Sequence, residues 1–168
     1  MPLRRISFSR CCLIALLSLC PAAPSAASQI TTTFQVKATV LASCQVSAAD
    51  LDFGNYTPTA GLDSAANTPI DVTCTNGTAY TVALDGGSVM HDVSARAMSD
   101  GNSHNLSYGL YTTAGFTTAW GDGTASTATV SGTGNGAAQA LTVYGRLPAS
   151  QYVPAASYAD QITVTVTY

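Results

Sequence analysis

The side chains able to do chemistry in this chain are few, and they do not converge. Ser88 and His91-Asp92 are close in sequence, but a nucleophile–base relay is defined by geometry and adjacency does not supply it. There is no glutamate among the nine acidic residues, so glycoside hydrolysis would have to rest on two aspartates. Asp50 and Asp52 share one strand face, yet they adjoin the turn-forming Phe53-Gly54-Asn55-Tyr56 and read as a solvated or turn-capping pair. The two histidines, His91 and His104, stand at no ligand spacing from each other or from cysteine. No catalytic, cofactor-binding or metal-binding residue is expected, and no cofactor.

The cysteines carry the one covalent signal. Arg4, Arg5 and Arg10 precede a short apolar run, Cys11 to Cys20. Small residues follow from Pro21 to Ala27, with Ser25 and Ala27 at the −3 and −1 positions of a cleavage site. That layout is a secretory signal peptide over residues 1–27, and the run is shorter than the ~20 apolar residues of a membrane span. No membrane insertion is expected after cleavage. Cys11, Cys12 and Cys20 leave with the leader. Cys44 and Cys74 remain, and an isolated pair exported to an oxidising compartment reads as a disulfide. The competing metal reading lacks further ligands.

Removing the leader leaves about 141 of the 168 residues, the size of one domain. The bases that stay are Lys37, Arg96 and Arg146, three against nine aspartates, for a formal charge of −6. Such a chain has no electrostatic footprint for nucleic acid or anionic lipid. Thr, Ser, Asn and Gly do most of the solvating, which suits β-structure rather than helix.

Periodicity agrees. Runs of period two recur between Gly, Asn, Asp and Pro, and predict strands near 30–46, 51–56, 69–75, 79–85, 95–99, 104–113, 126–131, 138–147 and 158–168. Asn76-Gly77 between two of them predicts a hairpin. Many short strands with regular turns imply an all-β sandwich or barrel.

The two ends are the informative elements. From Ile30 to Cys44, the residues Ile30, Phe34, Val36, Ala38, Val40, Ala42 and Cys44 share one parity, with Leu41 the exception on the other. At ~3.3 Å per residue the run spans roughly 50 Å, against ~17–20 Å for an ordinary strand. The surplus must be covered by something other than its own domain. At the far end, Ile162, Val164, Val166 and Tyr168 alternate with Gln161, Thr163, Thr165 and Thr167, and no further strand follows. A sandwich short of one strand, beside a spare strand at the other terminus, invites strand addition between chains.

The chain resembles the spore coat protein U domain family, which includes pilins of the archaic chaperone–usher pathway. The resemblance is carried by Cys44 after the alternating N-terminus, Leu51 to Pro58 (LDFGNYTP) and Val72 to Gly77 (VTCTNG). It continues through Leu106 to Thr112 (LSYGLYT), Trp120 to Gly123 (WGDG) and Val143 to Tyr168, in order along the chain. It implies an incomplete immunoglobulin-like β-sandwich lacking its seventh strand, completed by a donor strand from another chain. Residues 28–38 would be the donor extension, with Ile30, Phe34, Val36 and Ala38 facing the groove, and residues 39–168 the sandwich. Thr32 departs from the pattern, because a larger apolar residue is expected at its parity. Ile162, Val164, Val166 and Tyr168 would flank the acceptor groove, and Cys44–Cys74 would tie the first strand to a strand of the opposite hairpin. Phe53 is read as core-filling and Trp120 as structural beside its turn, rather than as ligand-stacking residues.

The resulting expectation is a non-enzymatic subunit of a secreted surface pilus, supporting adhesion and biofilm formation. Its partners would be a periplasmic chaperone, an outer-membrane usher and identical or related pilus subunits, with no nucleic acid. A surface binding module, such as a pilus-tip adhesin or a spore or cell coat protein, is the alternative.

Overall fold

The computed structural model describes residues 26–168. The leader expectation falls almost wholly on residues 1–25, outside the described residues. The chain divides into a unit ending at Ala38 and a second unit, Thr39–Tyr168. In the first, residues 26–38 are exposed and belong to no strand or helix.

The second unit is all-β apart from one 3-10 turn at Pro58–Ala60. Its strands are β1 (Cys44–Ala48), β2 (Ser64–Cys74), β3 (Ala79–Leu84), β4 (Ala97–Ser99) and β5 (Asn105–Ser107). They continue as β6 (Gly109–Tyr111), β7 (Val130–Thr133), β8 (Gln139–Leu147) and β9 (Val164–Thr167). One sheet runs β1-β2-β8-β6, a second β7-β3-β9, and β4-β5 form a short pair. All these pairings are antiparallel. Ile70, Val72 and Val143 from the first sheet and Tyr80, Val82 and Leu84 from the second form a single buried cluster, so the two sheets pack face to face. The sheet orders reproduce A-B-E-D and C-F of an immunoglobulin-like sandwich. Among the described residues, no strand takes the G position beside β9.

Several expectations need correction. The predicted strand 30–46 is β-structure only from Cys44; residues 26–43 belong to no strand. Residues 51–56 form no strand. Leu51 and Phe53 instead pack down over Gly145, where a side chain would collide with both, and Gly54 turns the chain with φ 66°. The run 104–113 splits into β5 and β6, which join different sheets.

Asn76-Gly77 does not close a hairpin. β2 already has β1 and β8 on its two edges, so the chain must cross to the other layer. The turn is closed by Thr78 N–H to Thr75 O at 3.0 Å and latched to the loop after β7 by Gly77 N–H to Gly134 O at 2.8 Å. Cys44 and Cys74 therefore link neighbouring strands of one sheet, directly opposite each other in the β1–β2 register, rather than opposite hairpins.

Pro69 lies inside β2, where it should weaken a central strand. Its carbonyl accepts from Ala49 N–H, so its ring nitrogen also faces the β1 side. That edge is where β1 has just ended, at Ala48 opposite Ile70. The missing donor costs no ladder bond there.

Candidate strand-acceptor groove

The backbone of the C-terminal segment shows which edge is free. Asp85 N–H donates to Thr163 O at 3.1 Å, Ser88 N–H to Gln161 O at 3.0 Å, and Ala159 exchanges both bonds with Ser99. Odd-numbered residues thus turn their peptide groups toward β3 and β4. Strand alternation turns those of Ile162, Val164 and Val166 the other way, to an edge without a partner among the described residues. The same reasoning applies to β1. Thr75 N–H donates to Ser43 O and Ala49 N–H to Pro69 O, so the peptide groups of Cys44, Val46 and Ala48 face away from β2. β1 and β9 are neighbours across the two layers. Each presents an unpaired edge to the gap between them.

The side chains repeat the pattern. Ile162, Val164 and Val166 are only half-buried, although they pack against the core cluster. Val46, on the inward parity of β1, is 43% exposed, and Tyr168 is 59% exposed. Below the ladder the gap opens into a cavity of about 570 Å³ lined by Leu51, Phe53, Leu84, Tyr108, Ile162 and Val164, among others. Phe53 meets Tyr108 edge-on, with ring centroids 6.4 Å apart. An apolar slot bounded by two unpaired strand edges accepts an extended chain that supplies both a ladder and alternating apolar side chains.

A polar cluster holds the floor of this groove. Asp160 Oδ1 accepts from Ser88 N–H, Ser88 Oγ–H, Val89 N–H and Gln161 N–H, while Tyr108 donates its hydroxyl to Asp160 Oδ2 at 2.7 Å. Burial, and then the carboxylate it faces, push the Tyr108 phenol far above its ordinary value. Arg96 is buried, its guanidinium donating to the carbonyls of Leu84 and Asp85. Burial pushes the Asp85 carboxyl up, but hydrogen bonds from the Thr163 and Gly87 N–H groups outweigh it and hold it below its ordinary value. These groups clamp the chain just past the Leu84–Val164 end of the β3–β9 pairing. Sequence reasoning missed Arg96, although its rarity among the bases was a usable signal.

The remaining candidates stay apart. Ser88 Oγ bonds to a carboxylate, not to an imidazole. His91 is exposed, and His104 Nδ1 pairs with Asp100 Oδ2 at 2.7 Å across the β4–β5 loop. Asp52 Oδ1 caps its own turn by accepting from Gly54 N–H at 2.7 Å. Trp120 is buried, with Nε1–H donating to Val82 O at 3.1 Å. Its neighbour Gly121 accepts from Leu84 N–H, so the Trp-Gly segment continues the sheet edge where β7 stops. The residues expected on the donor side, Ile30, Phe34, Val36 and Ala38, are all exposed, Phe34 at 86%.

An immunoglobulin-like sandwich open beside its F strand is the class of protein these features define. A family model described as Spore Coat Protein U domain matches residues 30–165, and the chain belongs to that family. It is accordingly a structural protein rather than an enzyme. No curated protein matches the chain. Among solved structures it is similar to a chain in the crystal structure of the CsuC–CsuE chaperone–tip adhesion subunit pre-assembly complex, from archaic chaperone–usher Csu pili of Acinetobacter baumannii. The TM-score is 0.59 at 23% identity, over 77% of this chain and 40% of that one. The likeness is one of fold, and the chain spans about 40% of the length of that protein.

Proposed function

We propose that this chain is a structural subunit of a chaperone–usher pilus, assembled by donor-strand exchange. The observation that carries the reading is the pair of unpaired edges on β1 and β9 around an apolar slot. The supporting observation is an exposed segment of matching periodicity in the same chain. After cleavage near Ala27, residues 28–38 of one subunit enter the groove of the next. A periplasmic chaperone fills the groove first, an outer-membrane usher exports the growing fibre, and identical or related subunits extend it at the cell surface. Such a fibre supports adhesion and biofilm formation.

The second sheet is antiparallel throughout, and the entering strand continues that pattern against β9. With Ser28 opposite Tyr168, Ile30 falls opposite Val166 and Phe34 opposite Ile162, beside the 570 Å³ cavity. Val36 and Ala38 then lie opposite Asp160 and Tyr158. Burying Phe34 or Val36 stabilises the joint by roughly 1.5–3 kcal/mol each. Deleting residues 28–35 should leave a folded, soluble chaperone complex that donates to no neighbour. Phe34→Asp should act the same way, since an unpaired buried carboxylate costs several kcal/mol. Size-exclusion chromatography and electron microscopy of cell-surface filaments read the result. Normal filaments from the truncated protein would overturn strand exchange.

A further inference from the structure

We propose that Lys37 sets the direction and register of the entering strand by pairing with Asp50 and Asp52 of the accepting copy; this rests on the strand-exchange reading above. Lys37 is the one charged residue of residues 28–38, and it is exposed. It shares parity with Gln29, Thr33 and Gln35, so it faces out of the groove whenever Phe34 and Val36 face in. In the antiparallel register it lies opposite Ala159. Asp50 lines the cavity at that same end, together with Tyr158 and Ala159.

Several charges around that end are already committed. Asp160 is saturated by five donors, and Asp100 is paired with His104. Of the other bases, Arg96 is buried on backbone carbonyls and Arg146 is paired with Asp63. Asp50 and Asp52 are exposed, and neither belongs to the two ion pairs of the described residues. Both residues are exposed, while Leu51 and Phe53 between and after them turn inward over Gly145. A strand entering in the reverse direction would carry Lys37 to the upper part of β9, where the outward side chains are Thr165 and Thr167. Charge complementarity therefore favours one direction and one register.

A labelled synthetic peptide of residues 28–38, titrated into the full exported chain and followed by fluorescence anisotropy, tests this. Lys37→Glu in the peptide should weaken binding about tenfold at low salt, as two attractions become repulsions, and the difference should shrink in high salt. Asp50→Lys with Asp52→Lys in the accepting chain should reverse the preference, so that the Lys37→Glu peptide binds better. Asp71→Lys, on β2 away from this end, should leave the preference unchanged. A peptide carrying Gln29→Lys with Lys37→Gln should bind as poorly as a neutral one. Equal binding of the wild-type and Lys37→Glu peptides would overturn the inference while leaving strand exchange intact, as would tighter binding of the Gln29→Lys peptide. These peptide arms require no variant chain to fold. Failure of the wild-type peptide to bind at all would instead sink the strand-exchange reading.

Discussion

Trp120 shows how little a residue type says before its surroundings are known. A lone tryptophan beside a Gly-Asp-Gly turn can stack on a sugar or fill a core, and both begin with the same sequence. Here its indole is 1% exposed and its N–H satisfies Val82 O. Trp120→Phe should therefore remove the indole's hydrogen bond, leave a gap in the core and destabilise the fold by about 1–3 kcal/mol, read as a shift in the urea midpoint. Unchanged stability in that variant would contradict the structural role. Asp160 makes the same point from the polar side. Nothing in its local sequence marks it as an anchor, yet it accepts from residues more than 70 positions away, such as Ser88. Arg96 also escaped notice, because a buried base held by main-chain carbonyls has no local sequence pattern.

Among the elements, β1 is the most precarious. It has only five residues, pairs on one edge, and leaves Val46 half uncovered. The Cys44–Cys74 bond joins its first residue to the last residue of β2. It closes a loop with a sequence separation of 30, for which the chain-entropy estimate is a stabilisation of roughly 3–4 kcal/mol. Replacing both cysteines by alanine should lower stability by about that amount in a denaturant titration. A chain lacking residues 1–27 should also show no alkylatable thiol. Two reactive thiols in that chain would contradict the pairing. β9 is the complementary case. Its four residues are held by β3 and by the Asp85 and Asp160 clamps, and its other edge has no partner among the described residues.

At the scale of the whole molecule, the sandwich exposes in β1 and β9 the kind of edges that natural sheets otherwise protect. If strand exchange joins the subunits as proposed, covering them from within one chain should remove both the polymerisation and the liability. A copy of residues 28–38 fused after Tyr168 through a short flexible linker, in a chain lacking the original extension, should give a self-completed monomer. Its melting temperature should exceed that of the unfused truncation by several degrees, since each kcal/mol is worth ~2–8 °C for a domain of this size. Size-exclusion chromatography and a thermal melt check both statements. A fusion that melted with the truncation would show that the added strand does not enter the groove.

The alternation of residues 30–44 and 158–168, the Cys44–Cys74 pair and the all-β class were determined by the sequence alone, because side-chain parity and the presence of just two cysteines after residue 27 are read directly from it. Tertiary structure decided the rest. Asn76-Gly77 carries the same turn chemistry in a hairpin as in an arch between sheets, and only the occupied edges of β2 select the arch. Leu51 and Phe53 have strand periodicity, yet the space above Gly145 draws them down as packing residues instead. Pro69 could remain in a central strand only because β1 stops one residue short of it. Which peptide groups of β9 stay unpaired follows from its register against β3, and register is set by contacts far apart in sequence.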